Sequence, residues 1–102
     1  MSEDGFVWEK AMSVLTLHIR PEGAQQYLVR VFDGKLLLGV PSLHPEIDQA
    51  IQAYGQGAGF PGVTAFDIWY GGWSVGTIPL DQMRTGASEL ADRLVVLSAV
   101  LR

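Results

Sequence analysis

The chain contains no cysteine, which removes disulfides, thiolate metal sites and cysteine nucleophiles together and fits a reducing compartment. Basic residues are few: seven Lys and Arg stand against eleven Asp and Glu, a formal net charge of −4. A field of that sign repels phosphate backbones and anionic lipid, so neither nucleic acid nor a membrane is an expected partner. No apolar run is long enough to cross a bilayer, because the candidate near the C-terminus is interrupted by Glu89, Asp92 and Arg93. The opening MSEDGFVWEKAMS carries acidic residues where a secretory signal is basic, and its apolar stretch is short. The expected location is the cytoplasm. Catalytic signatures are also scarce. The two histidines, His18 and His44, show neither H-x-x-x-H nor H-E-x-x-H spacing, so no metal site and no cofactor is expected.

What remains is the composition of one folded domain. At 102 residues and 48% hydrophobic the chain has material for a single core and no room for a second. Met-Ser recurs at Met1 and Met12, so residues 1–13 read as an N-terminal extension or arm and residues 14–102 as a single α+β domain. VLTLHIR, from Val14, alternates Leu15, Leu17 and Ile19 with Thr16, His18 and Arg20, the pattern of a half-buried strand. Pro21-Glu22-Gly23 then turns the chain.

YLVRVFDGKLLLGVP holds two strands around Asp33-Gly34, a strong hairpin signal. With that pair as the loop, Val31 meets Leu36 and Val29 meets Leu38. The face Tyr27, Val29, Val31, Leu36, Leu38, Val40 is then the core face, and Leu28, Arg30 and Phe32 point the other way. Ser42 is positioned to cap a following helix with Pro45 in its first turn and an apolar stripe of Ile47, Ala50, Ile51 and Tyr54, ended by Gly55 as C′ residue. A last helix starting near Asp81 or Thr85 has the stripe Ala87, Leu90, Ala91, Leu94, Leu97, Leu101. Beyond Leu94 it also carries Val95, Val96, Ala99 and Val100, so it is apolar all round and needs cover on a second side. The order strand, hairpin, helix, hairpin, helix predicts an α+β fold: an antiparallel sheet of about five strands with two helices packed on it. An offset of 38 residues aligns the two hairpin-helix units, placing Val29 and Val31 on Asp67 and Trp69, but the sequence similarity is too faint to establish a repeat.

Two glycine motifs dissolve on inspection. Gly57-Ala58-Gly59-Phe60-Pro61-Gly62 spells G-x-G-x-x-G, yet a helix precedes it and a strand follows, the reverse of what a phosphate-binding loop requires. It reads instead as a connection that can rim a pocket. Gly72-Trp73-Ser74-Val75-Gly76 spells G-x-S-x-G, but this serine falls inside a strand and not on a strand-to-helix turn. Asp67 and Ser74 could in principle complete a hydrolytic triad with His18, but nothing in the sequence brings them together.

FDIWYGGWSVG, from Phe66, is the most distinctive stretch. Gly71-Gly72 as a two-residue turn pairs Tyr70 with Trp73, Trp69 with Ser74, Ile68 with Val75 and Asp67 with Gly76. Phe66, Ile68 and Val75 are assigned to a core, and Trp69 and Trp73 to a contact surface. The hairpin and last helix hold more apolar surface than a small two-layer domain can cover, and two-fold association is the common way to bury it. The expectation is a small non-catalytic protein-binding module, a homodimer of the bacterial accessory, antitoxin-like or immunity-like kind. Trp69, Tyr70, Trp73 and Arg30 are its binding residues, and Val95, Val96, Ala99 and Val100 its interface. The alternative is a small-ligand binder or hydrolase with a pocket walled by Trp69, Tyr70 and the loop of residues 55–62, using His18, Arg30 and Asp67.

Overall fold

In the computed structural model of the chain, which describes residues 14–57 and 59–100, the alternating run at Val14 is the central strand of a five-stranded sheet. β1 (Val14–Pro21) buries Leu15, Leu17 and Ile19 on one side and turns Thr16 and His18 to the other. β2 (Tyr27–Asp33) and β3 (Leu36–His44) form the first hairpin. α1 (Ile47–Tyr54) follows, then β4 (Ala65–Tyr70) and β5 (Trp73–Pro79) form the second. The chain ends in α2 (Leu80–Thr85) and α3 (Ala87–Val100). The arm expected over residues 1–13 lies outside the described residues.

The architecture is α+β as expected, but the sheet is mixed. Its order is β3-β2-β1-β4-β5, and β4 runs parallel to β1 while every other neighbouring pair is antiparallel. Tight hairpin loops exclude parallel pairing only for the strands they join. The stretch between β3 and β4 contains α1 and a long loop, enough chain to cross over the sheet and insert β4 beside β1.

The helices α1, α2 and α3 lie on one face, over a core that includes Leu17, Ile19, Val29, Ile51, Phe66, Ile68, Met83 and Leu94. The expected last helix is two helices. Gly86 interrupts it (φ −116°, ψ 24°), with its N–H donating to Gln82 O at 2.7 Å before α3 begins. The helix α1 also starts later than expected: Ser42 belongs to β3, and the N-cap position is held by Glu46, with no side-chain cap.

Both hairpins depart from the simple register through bulges. In the first, Asp33 pairs with Leu36, so the loop is Gly34-Lys35 with positive φ at Gly34 (62°), and Val31 faces Leu38 instead of Leu36. Beyond Leu38, residues Gly39, Val40 and Pro41 stand opposite the single residue Arg30 before Val29 meets Ser42. Leu36 and Val40, expected in the core, are consequently exposed. In the second hairpin, Tyr70 pairs with Trp73 and Trp69 with Ser74 as expected. Val75 then bulges, so that Ile68 meets Gly76 (φ 92°) and Asp67 meets Thr77. One extra residue inverts the phase of the strand beyond it. Ile78 therefore joins Phe66 and Ile68 in the core, and Thr77 faces solvent. Val75 itself packs against the core cluster. Faces do not follow the 38-residue offset: Val29 and Val31 are core residues, whereas the aligned Asp67 and Trp69 are not.

Candidate functional site

Two places among the described residues bring polar and aromatic side chains together: the face of the sheet opposite α1, α2 and α3, and a cavity at its β3 edge. Register builds the first. His18 lies between Arg30 of β2 and Trp69 of β4, and Thr16 lies between Phe32 and Asp67. The Arg30 guanidinium donates from Nη2 to His18 Nδ1 at 3.3 Å and sits 5.4 Å from the centre of the Phe32 ring. A guanidinium only donates, so Nδ1 accepts and the His18 proton resides on Nε2, which donates to Gly71 O at 3.2 Å. Arg30 Nε is buried without a partner among the described residues. Ser74 Oγ donates to Asp67 at 3.1 Å and accepts from the Gly76 N–H at 2.9 Å.

His18 and Arg30 are thus brought together with Trp69, and Asp67 with Ser74. The two groups are not joined by a hydrogen bond among the described residues: both His18 nitrogens are engaged elsewhere. Tyr70 and Trp73 pair across the turn, and the Tyr70 ring lies 6.3 Å from that of Tyr27 on the helix-covered side. Val95, Val96 and Ala99 are exposed on α3, and the Val100 side chain lies outside the described residues.

The second place was not legible as a site. A cavity of about 660 Å³ opens between β3, the end of α1 and the loop before β4, with Gly59, Phe60 and Pro61 at its rim. A pocket was expected beside this loop with Trp69 and Tyr70 as walls; this cavity has the loop at its rim but neither of those rings in its lining, and its polar groups are different. It lies on the helix side of the sheet, so His18, Arg30, Asp67 and Trp69 do not line it; Ser42, His44 and Tyr54 do. Ser42 Oγ lies 2.9 Å from His44 Nε2 and 2.7 Å from the Tyr54 hydroxyl. Ser42 and His44 are two apart on one strand, which puts both on the same face. That spacing, and the tyrosine ending the next helix, were the available signals. The rings of His44 and Phe60 lie 6.1 and 6.2 Å from that of Tyr54, and Phe66 backs both Tyr54 and Phe60 edge-on.

No family matches. No curated protein and no solved structure is significantly similar to the chain either, so function rests on this geometry. Among the described residues no group of His, Asp and Glu is arranged to hold a metal ion, and no helix is long and apolar enough to cross a membrane. The element that follows the G-x-G-x-x-G stretch is β4, not a helix.

Both histidines are held below their ordinary value of 6.5. For His18 burial is the larger cause and the Arg30 charge the next, opposed by the bond to Gly71 O; for His44 burial acts alone. The fold thus favours the neutral rings, and on acidification the unfolded chain takes up protons first. Their contribution to stability should be complete above about pH 7 and be lost as pH falls through 6.5 towards the folded-state values. Urea midpoints at about pH 7.5 and 5.5, above the range where ordinary carboxylates titrate, check this. The wild-type midpoint should drop, and that of His18→Gln should drop less. An unchanged wild-type midpoint would contradict it.

Proposed function

We propose that the chain is a non-catalytic protein-binding module that self-associates and holds a second protein on its sheet, an accessory, antitoxin-like or immunity-like protein of the bacterial cytoplasm. The observation that carries the proposal is where its exposed large apolar side chains fall. Leu36 (63% exposed), Leu37 (44%), Val40 (86%) and Leu43 (53%) crowd edge strand β3, and Val95 (48%) and Val96 (56%) form a pair on α3. Clustered apolar exposure of this kind marks contact surfaces, whereas scattered exposure does not. Val96 lies in a shallow apolar strip with Val75 and Leu97, while Val95 lies beside Pro45 and Ile47, an apolar surface suited to a self-complementary two-fold contact. On the open sheet face, half-buried Phe32 and Trp69 flank Arg30 and His18, a mixture of aromatic and Arg side chains typical of interface centres.

Sedimentation equilibrium tests the self-association. The wild-type chain should sediment at twice its monomer mass of 11.1 kDa, and Val95→Glu/Val96→Glu at the monomer mass with an unchanged circular dichroism spectrum. A monomeric wild type, or a dimer indifferent to both glutamates, would sink the homo-oligomeric reading.

A further inference from the structure

The cavity at the β3 edge has features that a mere fastening of α1 to the sheet does not need. Its three polar groups form a chain with Ser42 in the middle, held by two contacts of 2.9 and 2.7 Å. Neutral His44, Ser42 and Tyr54 bring three polar hydrogens to those two contacts. Tyr54 can donate to Ser42 and Ser42 to His44, leaving the second ring N–H of His44. The direction can be reversed, leaving the Tyr54 hydroxyl proton, or both neighbours can donate to Ser42, leaving its own proton. Every arrangement has one donor over. The cavity therefore offers a guest a hydrogen-bond donor, the complement of a carbonyl oxygen.

The remaining lining excludes most other guests. It contains no Asp, Glu, Lys or Arg, and His44 is kept neutral by burial, so a carboxylate or phosphate would lose its hydration without gaining a counter-charge. Leu38, Val40 and Phe60 supply apolar wall, and Tyr54 and Phe60 present rings tilted by 34° to one another, a surface on which a third ring can pack offset or edge-on. The volume falls within the range of small-molecule sites, roughly 300–1,000 Å³, and the concavity, walled by strand, helix and loop and open at its rim, suits a compact molecule.

We propose that this cavity is a binding site for a small uncharged aromatic carbonyl compound, its ring on Tyr54 and Phe60 and its carbonyl oxygen on the spare donor of the Ser42–His44–Tyr54 chain. The site lies on the helix side of the sheet, away from His18, Arg30 and Trp69, and adjoins the exposed apolar residues of β3, sharing Val40 with them.

Three probes of similar size test it by titration into isotope-labelled chain, followed by amide nuclear magnetic resonance: acetophenone, benzoate and toluene. Acetophenone should give saturable shifts centred on Gly39, Val40, Tyr54 and Phe60. Toluene should bind about three- to tenfold more weakly for want of one hydrogen bond, and benzoate at least about tenfold more weakly for want of a counter-charge. In Ser42→Ala/His44→Phe/Tyr54→Phe the preference for acetophenone over toluene should vanish while ring binding persists; the comparison on the wild-type chain stands without that variant. Benzoate binding as tightly as acetophenone, a preference surviving in the triple variant, shifts centred on His18 and Trp69, or no saturable shift with acetophenone would each overturn the proposal.

Discussion

Phe66→Ala is expected to destabilise the fold by about 4 kcal/mol, within the range of about 3–5 kcal/mol for removing a fully buried phenylalanine ring. Phe66 has no exposed surface. Its backbone pairs with Leu15 of β1 on one side and Ile78 of β5 on the other, and its ring meets Tyr54 and Phe60 edge-on, each at 6.2 Å. One side chain thus ties the parallel junction of the sheet to the crossover helix and to the loop that follows it. Truncation removes both the transfer free energy of the ring and the edge-to-face contacts, and the two rings above it cannot follow into the gap without leaving α1 and the loop. A domain of this size has about 5–15 kcal/mol of stability in all, so the loss is a large fraction of the total and brings the variant to the limit of folding if the wild type lies at the low end of that range. Urea unfolding of Phe66→Ala and Phe66→Leu measures the effect. The leucine variant, which keeps most of the volume, should lose no more than about 1.5 kcal/mol. A loss below about 1 kcal/mol in the alanine variant would mean that the crossover does not pack on this ring.

Phe66 also shows how much of the fold the chain declares in its own pattern. Period-2 alternation placed Phe66, Ile68, Leu15, Leu17 and Ile19 in strands with one apolar face, and the helical stripes of α1 and α3 were equally plain: Ile47, Ala50 and Ile51 are buried, as are Ala87, Leu90 and Leu94. What alternation cannot announce is an inserted residue. The bulges at Val75 and at residues 39–41 carry no apolar signature of their own, only a nearby glycine, yet they decide that Ile78 is core and that Val40 is not, while the Gly34-Lys35 loop sets Leu36 opposite Asp33 at the end of the hairpin. The parallel pairing of β1 with β4 was illegible for a different reason. It depends on which edge the crossover reaches, a property of the assembled sheet and of no single segment.

The candidate site failed to declare itself through a competing local rule. Ser42 precedes a helical stripe, and serine in that place is a strong capping signal; in the fold it remains on β3 and turns its hydroxyl to His44 and Tyr54 instead. His18 and Arg30 were legible only as residues that strand parity puts on a shared outer face if their strands join one sheet; the register makes them neighbours, and they are hydrogen-bonded there. The same parity separated them from the loop of residues 55–62, so the pocket rimmed by that loop had to find its polar groups elsewhere.

Gly55→Ala is expected to destabilise by about 2 kcal/mol, within the range of about 1–3 kcal/mol for overpacking, although the usual expectation at such a place has the opposite sign. Gly55 was expected to end α1 as its C′ residue, a position at which glycine is commonly left-handed. It instead has right-handed helical angles, φ −63° and ψ −16°, which alanine adopts with less loss of chain entropy, a gain of about 0.4–1 kcal/mol. The glycine is required by proximity. A Cβ at Gly55 would lie 2.9 Å from Met83 Cβ and 3.1 Å from both Arg84 Cγ and Arg84 N. Two of these three neighbours are the fixed first atom of a side chain and a backbone nitrogen, so no rotamer change relieves the contact and α1 must separate from α2. That separation would also strain the bond by which Arg84 Nη1 donates to Gly55 O at 2.7 Å, the side-chain cap of α1, and the Gln52 bond to Arg84 O at 3.4 Å. Gly72→Ala is the control, since a Cβ there meets nothing within 4 Å, and it should leave stability within about 0.5 kcal/mol of wild type. Thermal and urea unfolding of both variants decide between the two causes. A stabilised Gly55→Ala would mean that chain entropy outweighs the helix contact, and that α1 and α2 have room to part.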